Sequence, residues 1–322
     1  MVLSPSSRPE QRNGESFTSQ KVSRKLAICE KPTLSFEYFP PKTESGVETL
    51  HSRMSSMCDM NPIWIDVTFG AGGSTTERTL EICESAVKKY GVDVMIHLTC
   101  TNMKRADLDD ILHRIKRAGI RNILALRGDP PANATEWVQC EGGFSHAVDL
   151  VRYIRSEHGD FFCIGVAGYP EGHADCESFD KDLEYLKAKV DAGADLVVTQ
   201  MFFDNEHYFE FVRRARELGI TVPIVPGIMP ILTSAGVKRM TAMCKVELPA
   251  AIDSAIEAIK DDEAKVKQFG ADLAATMCSE LIKRGAPGVH IYTMNHEDIV
   301  REIVKGIAPV LPAQHTEWMT SA

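Results

Sequence analysis

The chain has 322 residues, 44% hydrophobic and 25% charged, enough apolar material for a large core without cross-links. A formal net charge of −9 argues against a nucleic-acid or anionic-membrane surface, and no apolar run approaches the roughly 18 residues of a membrane span. Nine scattered cysteines without a CxxC pair fit a reducing compartment, so the expected location is cytoplasmic.

Residues 1–24 lack the apolar stretch of a secretory signal and are rich in Ser, Arg, Gln and Gly, which predicts a disordered tail. From there strand-length apolar runs alternate with amphipathic helices. Strand Leu34–Phe39 leads to helix Val47–Met60, Ile63–Thr68 to Thr75–Tyr90, Val94–Thr99 to Arg105–Ala118, and Asn122–Leu126 to Ser145–Glu157. Phe162–Ala167 leads to Ser178–Ala192, Leu196–Gln200 to Glu206–Leu218, Val222–Val225 to Ser234–Cys244, and Val289–Thr293 to His296–Gly306. The strands are apolar on both faces, as buried parallel strands are. Phe179, Leu183, Leu186 and Val190 form one helical stripe, and several helices stop at glycine (Gly91, Gly119, Gly193, Gly219).

Eight βα units predict a closed (β/α)8 TIM barrel over residues 25–311. Pro249–Gly285 interrupts the rhythm between strands seven and eight and predicts two extra helices within the same domain. Residues 312–322 are expected to be a frayed tail.

Barrels carry their chemistry at the carboxyl ends of the strands. There the chain places Glu37, Thr68, His97, Arg127-Gly128-Asp129, Tyr169 to His173, Gln200, Pro226-Gly227 and Tyr292. For Glu37 the readings are a structural ion pair or a desolvated carboxyl suited to general acid work. Arg127 and Asp129 read as a salt bridge or as ligand contacts. His97 and His173 read as buried, hydrogen-bonded histidines or as part of a site. Asp182, Tyr185 and Lys189 share one helical face, and that helix would direct its anion-favouring N-terminus at the barrel mouth. No strand end offers a Schiff-base lysine, and no clustered metal-ligand motif is present, so no metal is expected.

Ser35 to Lys42, Val67 to Ser74, His97 to Cys100, Leu126 to Asp129, Tyr169 to His173, Thr199 to Asp204, Pro226 to Pro230 and His290 to Asn295 together resemble the methylenetetrahydrofolate reductases, one motif per strand. They look more like the eukaryotic branch than the bacterial one. The resemblance implies noncovalent FAD that takes a hydride from NAD(P)H, with NADPH favoured. FAD then passes the hydride to 5,10-methylenetetrahydrofolate, giving 5-methyltetrahydrofolate by ping-pong kinetics. Residue by residue, Glu37 matches the general acid, Asp129 the carboxylate beside the flavin, and Gln200 the pterin-binding amide. Thr68, His97, Arg127, Gly128, Tyr169, His173, Asp182 and Lys189 match FAD contacts, and Tyr292 is assigned to the substrate side.

Three positions depart from the bacterial pattern: Ala188 and His296 stand for arginines, and Met240 for an aromatic. The resemblance also implies a C-terminal regulatory domain that binds S-adenosylmethionine, and this chain stops before it. Self-association is left open. The competing readings are a non-catalytic flavin- or folate-binding barrel and a pterin-handling lyase or transferase without a redox cofactor.

Overall fold

A computed structural model describes residues 19–69, 76–101, 103–128 and 139–320. Helix α1 (Val22–Ile28) precedes strand β1 (Thr33–Tyr38). Then follow α2 (Glu44–Met57), β2 (Trp64–Val67), α3 (Thr76–Tyr90), β3 (Val94–Thr99), α4 (Arg105–Arg117), β4 (Asn122–Leu126), α5 (Ala147–His158) and β5 (Cys163–Gly168). The second half holds α6 (Phe179–Asp191), β6 (Leu196–Thr199), α7 (Asn205–Glu217), β7 (Ile224–Val225), β8 (Gly227–Ile228), α8 (Ser234–Cys244), α9 (Ala250–Ile259), α10 (Glu263–Lys283), β9 (Gly288–Tyr292) and α11 (Glu297–Ile307).

All pairings are parallel, in the order β7-β6-β5-β4-β3-β2-β1-β9-β8. The expected seventh strand, Val222–Val225, is corrected to two short pieces either side of Pro226. Proline lacks the N–H that a continuous ladder needs, so the strand breaks there. Its carbonyl still accepts from the His290 N–H at 2.9 Å. Val198 pairs with Val225 on one side of the break and Gly227 with His290 on the other. The chain itself therefore closes the ring, and the eight-stranded barrel stands with one strand split.

Alternation along each strand separates two cores. Leu34, Phe36 and Tyr38 of β1, with Ile65 and Val67 of β2, point outward and bury against the helices. Trp64, Met95, Leu124, Cys163, Leu196, Val198 and Val225 point inward and fill the lumen, as side chains fill small barrels. Val22 and Leu26, one helical turn apart on α1, close the floor beneath them. The predicted tail boundary at residue 24 is thus corrected. Ser19 and Gln20 bond Asp93 at 2.8 and 2.6 Å, Val22 N–H donates to Asn122 at 2.7 Å, and Lys21 pairs with Asp160. Residues 1–18 lie outside the described residues.

The other end is corrected as well. His315 is buried and bonds the Met60 carbonyl at 3.0 Å, while Trp318 sits under the Arg301 guanidinium at 4.5 Å. These aromatic groups pin residues 312–320 against the end of α2. The two inserted helices are present as expected. They bury Ile256 and Val266 with Met201, Phe203, Met229 and Ile231, from the loops after β6 and β8, and so build one wall of the mouth. All nine cysteines are free. No helix among the described residues is long and apolar enough to cross a membrane.

Candidate active site

Glu37 and Asp66 are register partners on β1 and β2 and point into the lumen, just above the apolar filling. Glu37 is 7% exposed and Asp66 is fully buried. His97 on β3 places Nε2 3.4 Å from Glu37 Oε2 and 3.4 Å from Asp66 Oδ2. His290 on β9 places Nε2 3.6 and 3.7 Å from the same two atoms. Trp64 stacks on the His290 ring at 5.7 Å, and Ser35 Oγ meets its Nδ1 at 2.9 Å.

Burial disfavours charge on both kinds of group here. Asp66 is raised from the ordinary carboxylate range by burial, against the pull of His290 and His97. For His97 burial works against the charge, but Asp66 and Glu37 outweigh it and hold the imidazole above its usual value. Glu37 is also fixed through its backbone, whose carbonyl accepts from the Thr293 N–H at 3.1 Å and the Thr293 hydroxyl at 2.6 Å.

Beside Glu37 across the β1–β9 pair stands Tyr292, whose hydroxyl donates to the Thr199 carbonyl at the end of β6. Burial pushes this phenol well up, with Glu37 and Asp66 adding to it. Gln200 follows directly. Its side-chain oxygen accepts from the Met201 N–H at 2.8 Å, which orients the amide at the rim.

The loop after β5 supplies a second group. Tyr169 and His173 meet edge to face at 4.6 Å, and Asp175 N–H donates to His173 Nδ1 at 3.0 Å. Burial lowers the His173 imidazole, and the Arg127 charge lowers it further. Arg127, at the end of β4, pairs with Asp175 at 3.1 Å. The loop is held down from the far side: Glu247 N–H donates to Glu171 at 2.8 Å, and Lys245 to the Ala174 carbonyl at 3.1 Å. Lys189 Nζ reaches back from α6 to the Ala167 carbonyl at 2.7 Å and lies 5.8 Å from the Tyr169 ring. Burial lowers this ammonium to about 8, against the pull of Asp182. Asp182 is in turn raised by burial, against Lys189 and His173.

The shared face expected for Asp182, Tyr185 and Lys189 is corrected. Asp182 is buried and meets Lys189 electrostatically, but Tyr185 is 53% exposed, below Lys181. The first turn of α6 also carries Asp180 and Asp182, and its Lys181 N–H bonds the Ser178 cap, so the helix end is already occupied by its own groups. Thr68 stands half-buried at the end of β2, where its carbonyl accepts from Thr79 at 3.0 Å. Gly128 has φ of +88°, and a Cβ there would lie 2.5 Å from Thr101 Oγ1. Asp129 and the glycine turn at 70–74 lie outside the described residues.

Of the divergent positions, Ala188 is half-buried beside Lys189, and Met240 packs against the apolar cluster that holds Met201, Phe203 and Met229. His296 precedes α11, 3.7 Å from Asp298. Strand-end reasoning missed Asp66 and His290. Both sit two residues before a residue it singled out, Thr68 and Tyr292, and so on the same inward face. A carboxylate inside an otherwise apolar strand was the available signal.

Residues 21–308 match the family description "Methylenetetrahydrofolate reductase". The chain belongs to the methylenetetrahydrofolate reductase family. It is 50% identical over 274 residues to "Methylenetetrahydrofolate reductase (NADH) 1" of Zea mays, covering 82% of this chain and 46% of that protein. It is 40% identical over 280 residues to "Probable methylenetetrahydrofolate reductase (NADPH)" of Caenorhabditis elegans, covering 85% and 42%. The "5,10-methylenetetrahydrofolate reductase" of the bacterium Pectobacterium carotovorum is 37% identical over 83% of this chain and 87% of its own. The chain spans about half the length of the eukaryotic relatives it matches. Among solved structures, the fold matches an uncharacterized protein from Clostridium thermocellum that "binds two copies of 5-methyl-5,6,7,8-tetrahydrofolic acid". That match has a TM-score of 0.60 at 14% identity and covers 89% of this chain and 98% of the other.

Proposed function

We propose that this barrel reduces 5,10-methylenetetrahydrofolate to 5-methyltetrahydrofolate with NAD(P)H, through noncovalently held FAD. The observation that carries the reading is the placement of Glu37. It is a nearly buried carboxyl in the barrel lumen, among His97, His290 and Asp66, in a chain of this family.

The residues present fit FAD by the chemistry of their donors. Arg127 and Lys189 are cations suited to a pyrophosphate, Tyr169 and His173 offer flat ring surface, and Gly128 keeps space that any Cβ would fill. Thr68, His97, Asp182 and Asp129 complete the proposed contact set. When bound, FAD would carry the hydride from the nicotinamide to the folate. Everything else falls to the chain. Glu37 would donate the proton that opens the folate's bridging ring. Gln200 would hold the pterin edge with a paired donor and acceptor, and Tyr292 would line the same side. Asp66 and His97 are both raised from their ordinary values, so both hold a proton more tightly than they would in water. Relatives are named for both NADH and NADPH, so both reductants belong in the test.

The test is anaerobic absorbance of the purified, FAD-reconstituted protein. Either nicotinamide should bleach the flavin band, and methylenetetrahydrofolate should then restore it. A band that bleaches but is not restored would sink the folate assignment; no flavin retained would sink the whole reading.

Lys189 adds a pH dependence. Its ammonium, near 8 in the free protein, loses its charge as pH rises through that value. If the charged form holds the pyrophosphate, FAD affinity should fall about tenfold between about pH 7 and about pH 9. Fluorescence titration of FAD checks this, and Lys189→Met should bind weakly and with a flat pH profile over the same interval.

A further inference from the structure

Glu37 and the three groups around it come from four neighbouring strands, β1, β3, β2 and β9. Their facing atoms are separated by 3.4, 3.4, 3.6 and 3.7 Å. Charge-assisted hydrogen bonds close to about 2.7–2.9 Å; here His97 and Asp66 make a long one at 3.4 Å, and the His290 contacts at 3.6 and 3.7 Å are longer still. Ligands held at about 2.0–2.2 Å from a four-coordinate ion stand roughly 3.3–3.6 Å from one another, close to the spacing seen here. The ligand atoms of Glu37, Asp66 and His290 all lie within 4.8 Å of one another.

The hydrogen pattern sharpens the point. The Ser35 hydroxyl donates its one hydrogen to the Val289 carbonyl at 3.4 Å. In the tautomer with the hydrogen on Nδ1, it then accepts from His290 at 2.9 Å. That tautomer leaves Nε2 as a bare lone pair facing two carboxylate oxygens. Nε2 and Asp66 Oδ1 are both fully buried and have no hydrogen-bond partner. Three facing acceptors in that tautomer form a pocket that a cation would fill. Trp64, stacked on the ring, and Ser35, bonded to its far nitrogen, fix the lone pair in place, as outer partners do for metal-binding histidines.

We propose that Glu37, Asp66 and His290 form a binding site for a divalent ion of the zinc class, and that such an ion inhibits the folate half-reaction by occupying the carboxylate of Glu37. One imidazole nitrogen with two carboxylate oxygens suits Zn2+ or Co2+ with a fourth position open, whereas Mg2+ and Ca2+ favour oxygen throughout. Ion binding stands independently of the proposed reductase activity; the inhibition rests on it. The site escapes any spacing motif because each ligand comes from a different strand.

The test titrates the FAD-loaded protein with Co2+, following ligand-field absorption to the red of the flavin band and bound metal by equilibrium dialysis. One Co2+ per chain, displaced by Zn2+, is expected. Asp66→Asn and His290→Gln should each weaken binding at least about tenfold. Ser35→Ala, which removes only one hydroxyl, should weaken it by about tenfold too and guards against a misfolded ligand variant. Zn2+ should slow flavin reoxidation by methylenetetrahydrofolate and spare flavin reduction by NAD(P)H. Absence of Co2+ uptake, or uptake unchanged in all three variants, would overturn the site. Uptake lost in the variants, in a protein that never reduces the folate, would uphold the site while removing the reductase reading. Equal slowing of both half-reactions would overturn the inhibitory role.

Discussion

Replacing Glu37 by glutamine is expected to leave flavin reduction by NAD(P)H within a few-fold of the parent and to slow folate reduction by at least about a hundredfold. Glutamine keeps the length and hydrogen-bonding reach of the side chain but has no proton to give. The backbone at this position is held by Thr293 through both its N–H and its hydroxyl, which favours an unchanged frame in the variant. Rapid mixing separates the two half-reactions, so a loss confined to the second identifies the proton donor. Equal loss in both would indicate damage to flavin binding instead. If both stay fast, Glu37 is not the acid.

Gly227→Ala is expected to destabilise the protein by roughly 3 kcal/mol or more, read as a lower urea midpoint. A Cβ at Gly227 would lie 2.3 Å from the Thr199 carbonyl oxygen and 2.3 Å from the Tyr292 hydroxyl. One of those atoms is backbone and cannot swing away. The methyl must therefore push β8 off the strand end it closes, and it must break the Tyr292–Thr199 hydrogen bond. Because this is the seam where the split strand completes the ring, the damage should reach the site. Flavin retention should fall along with stability. A midpoint equal to the parent's would show that the seam yields easily and that the close approach is not needed.

The architecture was legible because buried parallel strands and amphipathic helices have different periods, and the eight units follow that pattern with few exceptions. Glu37, His97 and Tyr292 were legible as candidates because polar residues at strand ends stand out. Asp66 and His290 were not, since they lie one inward step lower, where lumen filling is the ordinary expectation. Pro226 concealed a strand. The run Val222–Val225 looked like a whole one, yet Pro223 and Pro226 bracket its only paired residues. Ser19 to Arg24 looked like tail because polar residues predominate. The informative pair was Val22 and Leu26, whose spacing marks one apolar helical face. At the other end, His315 and Trp318 carried the signal that the last residues pack. Tyr185 failed for a different reason: sharing a face by spacing does not decide how far around the helix the mouth extends.

The floor of the barrel has a consequence for how the chain is made. Its sealing segment is synthesised before all of the partners that hold it. Ser19 bonds a residue 74 positions later, Val22 one 100 positions later, and Lys21 one 139 positions later. Closing loops of that length costs entropy before any contact repays it. During translation the segment must therefore wait, with Val22 and Leu26 still in water, until β4 and the turn before β5 have left the ribosome. A fusion partner or tether joined ahead of residue 19 would act during that wait, when the floor is still open, rather than on the finished barrel.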